Sequence, residues 1–248
     1  MTRRISVINY KGGTGKTTTV VNLGHALAIK KKRVLIVDTD SQGSAGFHLG
    51  IQSERTLYDL LVGNLPPEDC IIKARPNLDL ICANERLFPA EIQLTKLKDK
   101  ELVLSQHLAK LSNYYDYILL DCAPSLNLLN QNVLLFAEEI LLPVSMEYMA
   151  LFGIKQLLNN ITLINKLYQH RVRISKVIPT FFDKRYRKSK DVLSSLQRAF
   201  PEKVTEPIRM CIAISEAAGF NKTIFEYDPD SNGVKDYNNL ADEVLKNG

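Results

Sequence analysis

The stretch "NYKGGTGKTT", residues 9–18, sets two lysines around a run of glycines, and its flanks decide the fold. Before it, "RISVIN" (4–9) reads as a short buried strand; after it, a helical pattern runs from about Gly15 to Lys30. A strand, a glycine-rich turn ending in Gly-Lys-Thr and a helix, in that order, form a phosphate cradle. Gly12, Gly13 and Gly15 allow backbone N–H groups to point at phosphate oxygens, and the helix N-terminus adds partial positive charge. Lys16 is spaced to reach β- and γ-phosphates, the Thr17 hydroxyl to ligate Mg2+, and Thr18 to donate to an α-phosphate. The strict pattern G-x-x-x-x-G-K-[ST] is not met, because its first glycine falls on Tyr10. The glycines stand directly behind Lys11 instead, and a phosphate loop has no evident need of this second lysine.

Outward from the loop, β-branched runs alternate with helical stretches. Strands are expected at 4–9, 33–38, 77–83, 116–121, 139–144 and 173–179, and helices at about 15–30, 99–113, 126–137, 150–168, 187–200 and 234–246. Alternation of this kind predicts an α/β fold, a mostly parallel twisted sheet with helices on both faces. With no repeat, low-complexity segment or linker, residues 1–248 are expected to form a single P-loop ATPase domain. No apolar run approaches the roughly 20 residues of a membrane span, and the basic start leads directly into a strand, so no signal peptide is expected. The four cysteines, Cys70, Cys82, Cys122 and Cys211, lack C-x-x-C spacing, which argues against a zinc site and for a reducing, cytoplasmic setting.

"KGGTGKTT" (11–18) resembles the deviant Walker A motif, K-G-G-x-G-K-[ST], of the ParA/MinD family of ATPases. The resemblance extends along the chain. "VLIVDTDSQGS" (34–44) is similar to V-D-x-D-P-Q-G-N, with Ser41 for proline, and "YILLDCAPSL" (117–126) to D-x-P-P-S-L, with Ala123 for the first proline. "LPVSMEYMALFGIKQLL" (142–158), "IPTFFDKRYRKSKDVLSSL" (178–196) and the segment 206–244 resemble later ParA segments. The resemblance implies ATP and Mg2+ as cofactors, held by Lys11, Gly12, Gly13, Thr14, Gly15, Lys16, Thr17 and Thr18, with Pro207, Ile208 and Arg209 beside the adenine. It also answers the question of the second lysine: Lys11 reaches across a homodimer to the phosphates held by the partner subunit.

Phosphoryl transfer needs positioning and charge stabilisation more than covalent chemistry. Asp38, Asp40 and Asp121 all fall at carboxyl ends of expected strands, where α/β sheets bind ligands. Asp121 fits a role in holding Mg2+ through water, and Asp38 supports either the metal or its loop. Asp40 matches the family's second aspartate, which positions or deprotonates the attacking water. Lys11, Lys16 and Asp40 are thus the expected catalytic set. No arginine finger is evident, and the family implies weak basal hydrolysis increased by a ParB-like or cargo adaptor protein.

"DKRYRKSK" (183–190) gathers Lys184, Arg185, Arg187, Lys188 and Lys190 at a helix start, and His170, Arg171 and Arg173 add charge upstream. Cations at a helix N-terminus oppose its dipole, which hints at an external partner. In ParA-type dimers a basic surface from this region binds DNA non-specifically, which implies a nucleoid-associated protein. The run "KKKR" (30–33) ends a helix, where cations suit the dipole, and Tyr10, Phe47 and Met149 are expected to pack in the core or an interface. The first strand starts near residue 4, so no helix-turn-helix and no operator binding are expected.

Three functions compete. In the first, an ATP-dependent dimer coats DNA and is released on partner-stimulated hydrolysis, moving a chromosome, a plasmid or a protein body such as a carboxysome. The alternative is a MinD-like ATPase cycling on membrane for division-site placement. The terminal helix argues against that one. Val234, Tyr237, Leu240, Ala241, Val244 and Leu245 form an apolar stripe, opposed by Asp236, Asp242, Glu243 and only two lysines, as in a helix docked on its own domain with no stable membrane association. A metabolic P-loop ligase or a relative of the nitrogenase iron protein is the third; for the latter, Cys122 has no second spaced cysteine beside it.

Overall fold

The structure, a computed structural model, describes residues 2–246. Seven strands form one sheet: β1 (Arg3–Val7), β2 (Val34–Asp38), β3 (Ile71–Arg75), β4 (Leu78–Ile81), β5 (Tyr117–Asp121), β6 (Glu139–Ser145) and β7 (Arg173–Thr180). Their spatial order is β3-β4-β2-β5-β1-β6-β7, and every neighbouring pair is parallel except β3 and β4. The phosphate-loop strand β1 therefore lies between β5 and β6, inside the sheet.

Successive side chains of a strand point to opposite faces, and here both faces are covered. Leu35 and Val37 of β2 and Ile118 and Leu120 of β5 join one buried cluster; Val34, Ile36 and Leu119 join the other. The second cluster is closed by α1 (Lys16–Ile29) and α12 (Asn232–Lys246), the first by α7 (Leu128–Phe136) and α8 (Ala150–Tyr168) among others. Gly24 of α1 lies so close to the sheet that a Cβ there would sit 3.1 Å from Ile36 Cδ1. Truncating a wholly buried side chain such as Ile36 to alanine costs about 2–5 kcal/mol.

The helix expected at 99–113 is α6 (Val103–Leu108) followed by a 3-10 turn, and the others hold within a few residues. The sequence reading passed over α2 (Ser44–Leu49), α3 (Leu57–Leu61), α4 (Pro67–Cys70), strand β3, α5 (Leu87–Leu94), α10 (Ile212–Gly219) and α11 (Ile224–Tyr227). Each is too short to display a helical period, or in β3 an alternation, over several repeats. The remaining helix, α9 (Arg187–Ala199), starts within the basic run.

The terminal helix α12 is docked. Tyr237, Leu240, Ala241 and Val244 are buried against α1 and the sheet. One residue of its supposed polar face is corrected: Asp236 is buried and accepts from the Arg209 guanidinium at 2.6 Å. Among the described residues, no helix is long and apolar enough to cross a membrane.

Candidate nucleotide site

The loop between β1 and α1 turns on two left-handed glycines, Gly13 at φ 68° and Gly15 at φ 82°. Side chains rarely adopt these angles, which is why the loop needs glycine there. A Cβ on Gly12 or Gly13 would meet nothing within 4 Å, so the loop borders open space. Gly15 caps α1 with no side-chain hydrogen bond, and the first turn holds no acidic residue. The first N–H groups of α1 thus face a site suited to an anion. Thr180, at the end of β7, braces the loop by donating its hydroxyl to the Thr14 carbonyl at 3.0 Å. Thr14 itself is buried, and its hydroxyl has no partner among the described residues.

Lys16 is 7% exposed and its ammonium donates to the Lys11 carbonyl at 3.3 Å. Burial pushes its pKa down, against the opposing pull of Asp121. Lys11 and Thr17 are half-buried, as is Thr18 beside them. The two lysines therefore sit in different settings, Lys16 inside the cradle and Lys11 on its rim.

Strands β2 and β5 are in register so that Asp38 and Asp121 lie abreast, both with no solvent exposure. Asp38 has both oxygens engaged, accepting from Asp40 N at 3.0 Å and Ala45 N at 2.9 Å. Of the two roles expected for it, support of a metal or of a loop, these bonds are those of the loop. Asp121 differs. Neither of its oxygens has a well-directed hydrogen bond among the described residues, although the Thr17 hydroxyl is near enough to pull its pKa partly down. Burial dominates and raises Asp121, and it also raises Asp38, with help from the Asp121 charge. An orphaned, buried carboxylate next to a threonine hydroxyl and a second carboxylate is a place that a divalent cation would stabilise. Thr17 and Asp121 are the residues that would hold Mg2+ there. Asp40 stands at the rim, half-buried, with Oδ1 accepting from Gln42 N at 3.1 Å.

The segment after α9 returns along β7. Ile208 N donates to the Pro179 carbonyl at 2.8 Å and Met210 N to the Phe182 carbonyl at 2.9 Å. This brings Ile208 and Arg209, with Thr18, Phe181 and Tyr237, around a cleft beside the first turn of α1. Pro207 is half-buried just before them and does not line the cleft. Phe181 was missed in the sequence. It holds φ +56°, an unusual value for a bulky residue, and its ring packs against Gly15. The available signal was its position just beyond a strand's carboxyl end.

In the basic run, Lys184, Arg185, Arg187 and Lys190 are exposed and Lys188 is half-buried. Three have carboxylate partners: Arg185 with Asp183 at 2.6 Å, Arg187 with Asp191 at 3.7 Å and Lys188 with Glu147 at 2.6 Å. Exposed pairs of this kind are worth about 0–1 kcal/mol, so a polyanion can displace them. Lys188 and Glu147 share a groove with Lys11, Gly12 and Gly13, which sets the basic helix beside the phosphate loop. His170, Arg171 and Arg173 do not join the run. They stand at the opposite end of β7, roughly 23 Å away at about 3.3 Å per residue. Tyr10 packs on the core, whereas Phe47 and Met149, expected in a core or interface, are each 66% exposed.

Two family models match the chain: an AAA domain over residues 2–174, and the NifH/frxC family of 4Fe-4S iron sulfur cluster binding proteins over residues 125–248. The latter segment contains a single cysteine, Cys211, which is not a cluster ligand set. The sporulation initiation inhibitor protein Soj of Bacillus subtilis is 42% identical over 100% of both chains. The chromosome partitioning protein ParA of Caulobacter vibrioides is 37% identical over 98% of this chain and 94% of its own. Among solved structures, cobyrinic acid a,c-diamide synthase from Mycobacterium smegmatis, with bound ATP analog and magnesium, superposes with a TM-score of 0.84 at 30% identity, covering 99% of this chain and 95% of that one. With full-length identity at this level, the chain belongs to the ParA/Soj family of chromosome-partitioning ATPases.

Proposed function

We propose that this chain is an ATP-driven switch for partitioning or positioning cargo on DNA. The observation that carries the reading is the division of labour between two lysines on one loop: Lys16 buried within the cradle, Lys11 on its rim. Gly12, Gly13, Thr14 and Gly15 offer the loop to the phosphates, Lys16 neutralises them in cis, and Thr17 with Asp121 holds Mg2+. When bound, Mg2+ offsets charge on the β- and γ-phosphates. The purine lies in the cleft of Thr18, Phe181, Ile208 and Arg209, with Arg209 kept in place by Asp236. Asp40 orients the attacking water. Lys11 completes the charge balance of the partner subunit's site, so only the homodimer is competent.

Output follows from the placement of the basic helix beside the loop. Lys184, Arg185, Arg187, Lys188 and Lys190, doubled in a dimer, contact DNA phosphates without reading bases. A ParB-like or cargo adaptor protein stimulates hydrolysis and resets the switch. The protein is then nucleoid-associated in the cytoplasm while ATP is bound. The docked α12 favours this over membrane cycling, since Tyr237, Leu240, Ala241 and Val244 of its apolar stripe are already buried.

The test is binding to two unrelated DNA duplexes with ATP and with ADP, using Asp40→Ala to slow hydrolysis. Equal, ATP-dependent and salt-sensitive binding to both is expected. Binding that ignores the nucleotide, or is absent at low salt, would refute the DNA switch.

A further inference from the structure

We infer that Asn9 is a positioning residue for the phosphate lysine, acting through the main chain of Lys11. Pairing of β1 with β6 ends at Val7 and Leu141, and Ile8 N then donates to the Leu141 carbonyl at 3.2 Å. The next link between the two strands is made by a side chain. Asn9, 1% exposed, donates its Nδ2 to the Pro143 carbonyl at 2.8 Å, and its Oδ1 accepts from Lys11 N at 3.0 Å. The carbonyl of that same Lys11 then accepts from Lys16 Nζ at 3.3 Å.

The chain of bonds runs from β6, in the sheet interior, to the ammonium at the bottom of the cradle. Its partners fix the orientation of the amide. A main-chain N–H can only donate and a prolyl carbonyl can only accept, so only an amide placed in this sense satisfies both. Neither aspartate, with no donor, nor leucine, with no polar atom, meets both needs. Lys11 therefore has two separable parts. Its main-chain N–H and C=O, on the two peptide units that flank its Cα, set where Lys16 stands in cis, and its side chain is free to serve elsewhere.

The inference rests on Lys16 being the phosphate lysine, and the experiment separates the two claims. The probe is a fluorescent ADP analogue with Mg2+, titrated into the monomer. A second readout is the slowly exchanging ε-ammonium NMR signal of Lys16, assigned by its loss in Lys16→Ala. Asn9→Ala is expected to weaken nucleotide binding on the order of tenfold and to broaden or remove the Lys16 signal. Asn9→Ser, whose hydroxyl still reaches the N–H two residues on but not Pro143, is expected to fall between. It also carries the test should Asn9→Ala fail to fold, and melting of the nucleotide-free variants separates positioning from collapse. Wild-type affinity and an unchanged Lys16 signal in both Asn9 variants would overturn the positioning role alone. Wild-type affinity in Lys16→Ala would overturn the phosphate reading and this inference with it.

Discussion

Asp121→Asn is expected to stabilise the nucleotide-free protein while removing its response to Mg2+-nucleotide. The wild-type carboxylate has no exposure and no well-directed hydrogen bond, and it lies abreast of Asp38, also wholly buried. Burial raises the pKa of both, so the fold disfavours their charged forms. A carboxylate raised in the folded state gives stability that is complete below its unfolded value, about 4, and is lost as pH rises through its own higher value. The nucleotide-free wild type should therefore lose stability as pH rises from about 4 toward and past neutrality. An isosteric amide carries no charge to bury. The amide is itself unpaired there, so the gain is relief of the buried charge alone, on the order of 1–3 kcal/mol, and at this chain length each kcal/mol moves Tm by about 2–4 °C. A rise of roughly 2–12 °C at pH 8, shrinking toward pH 5, is the expected result by calorimetry. Adding ADP with Mg2+ should raise Tm in the wild type and much less in the variant. A variant that melts below wild type without nucleotide, or gains as much from Mg2+-ADP, would refute both the strain and the metal role assigned to Asp121.

Three further outcomes are expected. Replacing Arg185, Arg187 and Lys188 together with alanine should leave ATP-dependent dimerisation intact and flatten the log–log salt dependence of DNA binding by about 0.9 per lost contact, or about 2.7 per subunit; an unchanged slope in a salt titration would reduce the cluster to a solvated helix start. His48 is buried, its Nε2 has no partner among the described residues, and burial pushes its pKa down to about 4. Its stability contribution should be present above the unfolded value near 6.5 and be lost as pH falls through 4, about 3 kcal/mol at most, and denaturant titrations of wild type and His48→Gln should converge in that window. Asp40→Ala should accumulate ATP dimers that persist, since it removes a group that orients water and leaves the cradle intact; loss of ATP binding in filter assays would instead make Asp40 structural.

Much of this was legible because the phosphate loop couples sequence to geometry tightly. Left-handed turns at Gly13 and Gly15 admit few other residues, and strands buried on both faces, such as "YILLD" (117–121), read as continuous apolar runs. Asp121 was legible for the same reason, as the first polar residue after such a run. What stayed hidden depends on contacts distant in the chain. The antiparallel β3 rests on the turn at Pro76 and Asn77, the latter at φ +60°, and has no helix or long alternation to announce it. That Asp38 spends its oxygens on the backbone at Asp40 and Ala45 is a property of the folded turn. Asp236 reads as one acid on a polar helix face until Arg209, 27 residues earlier, is laid against it. The charges of Arg171 and Arg173 were counted with the basic helix because the sequence does not show that β7 separates them.

Lys11 is proposed to act across a dimer, and light scattering of Lys11→Ala with a slowly hydrolysed ATP analogue tests this most directly. Lys16, Thr17 and the loop's N–H groups remain in cis, so the variant is expected to keep monomeric nucleotide binding. Wild type should double its mass with the analogue while Lys11→Ala stays a monomer with no stimulated hydrolysis. A Lys11→Ala protein that dimerises as fully as wild type would contradict the cross-subunit role of the second lysine.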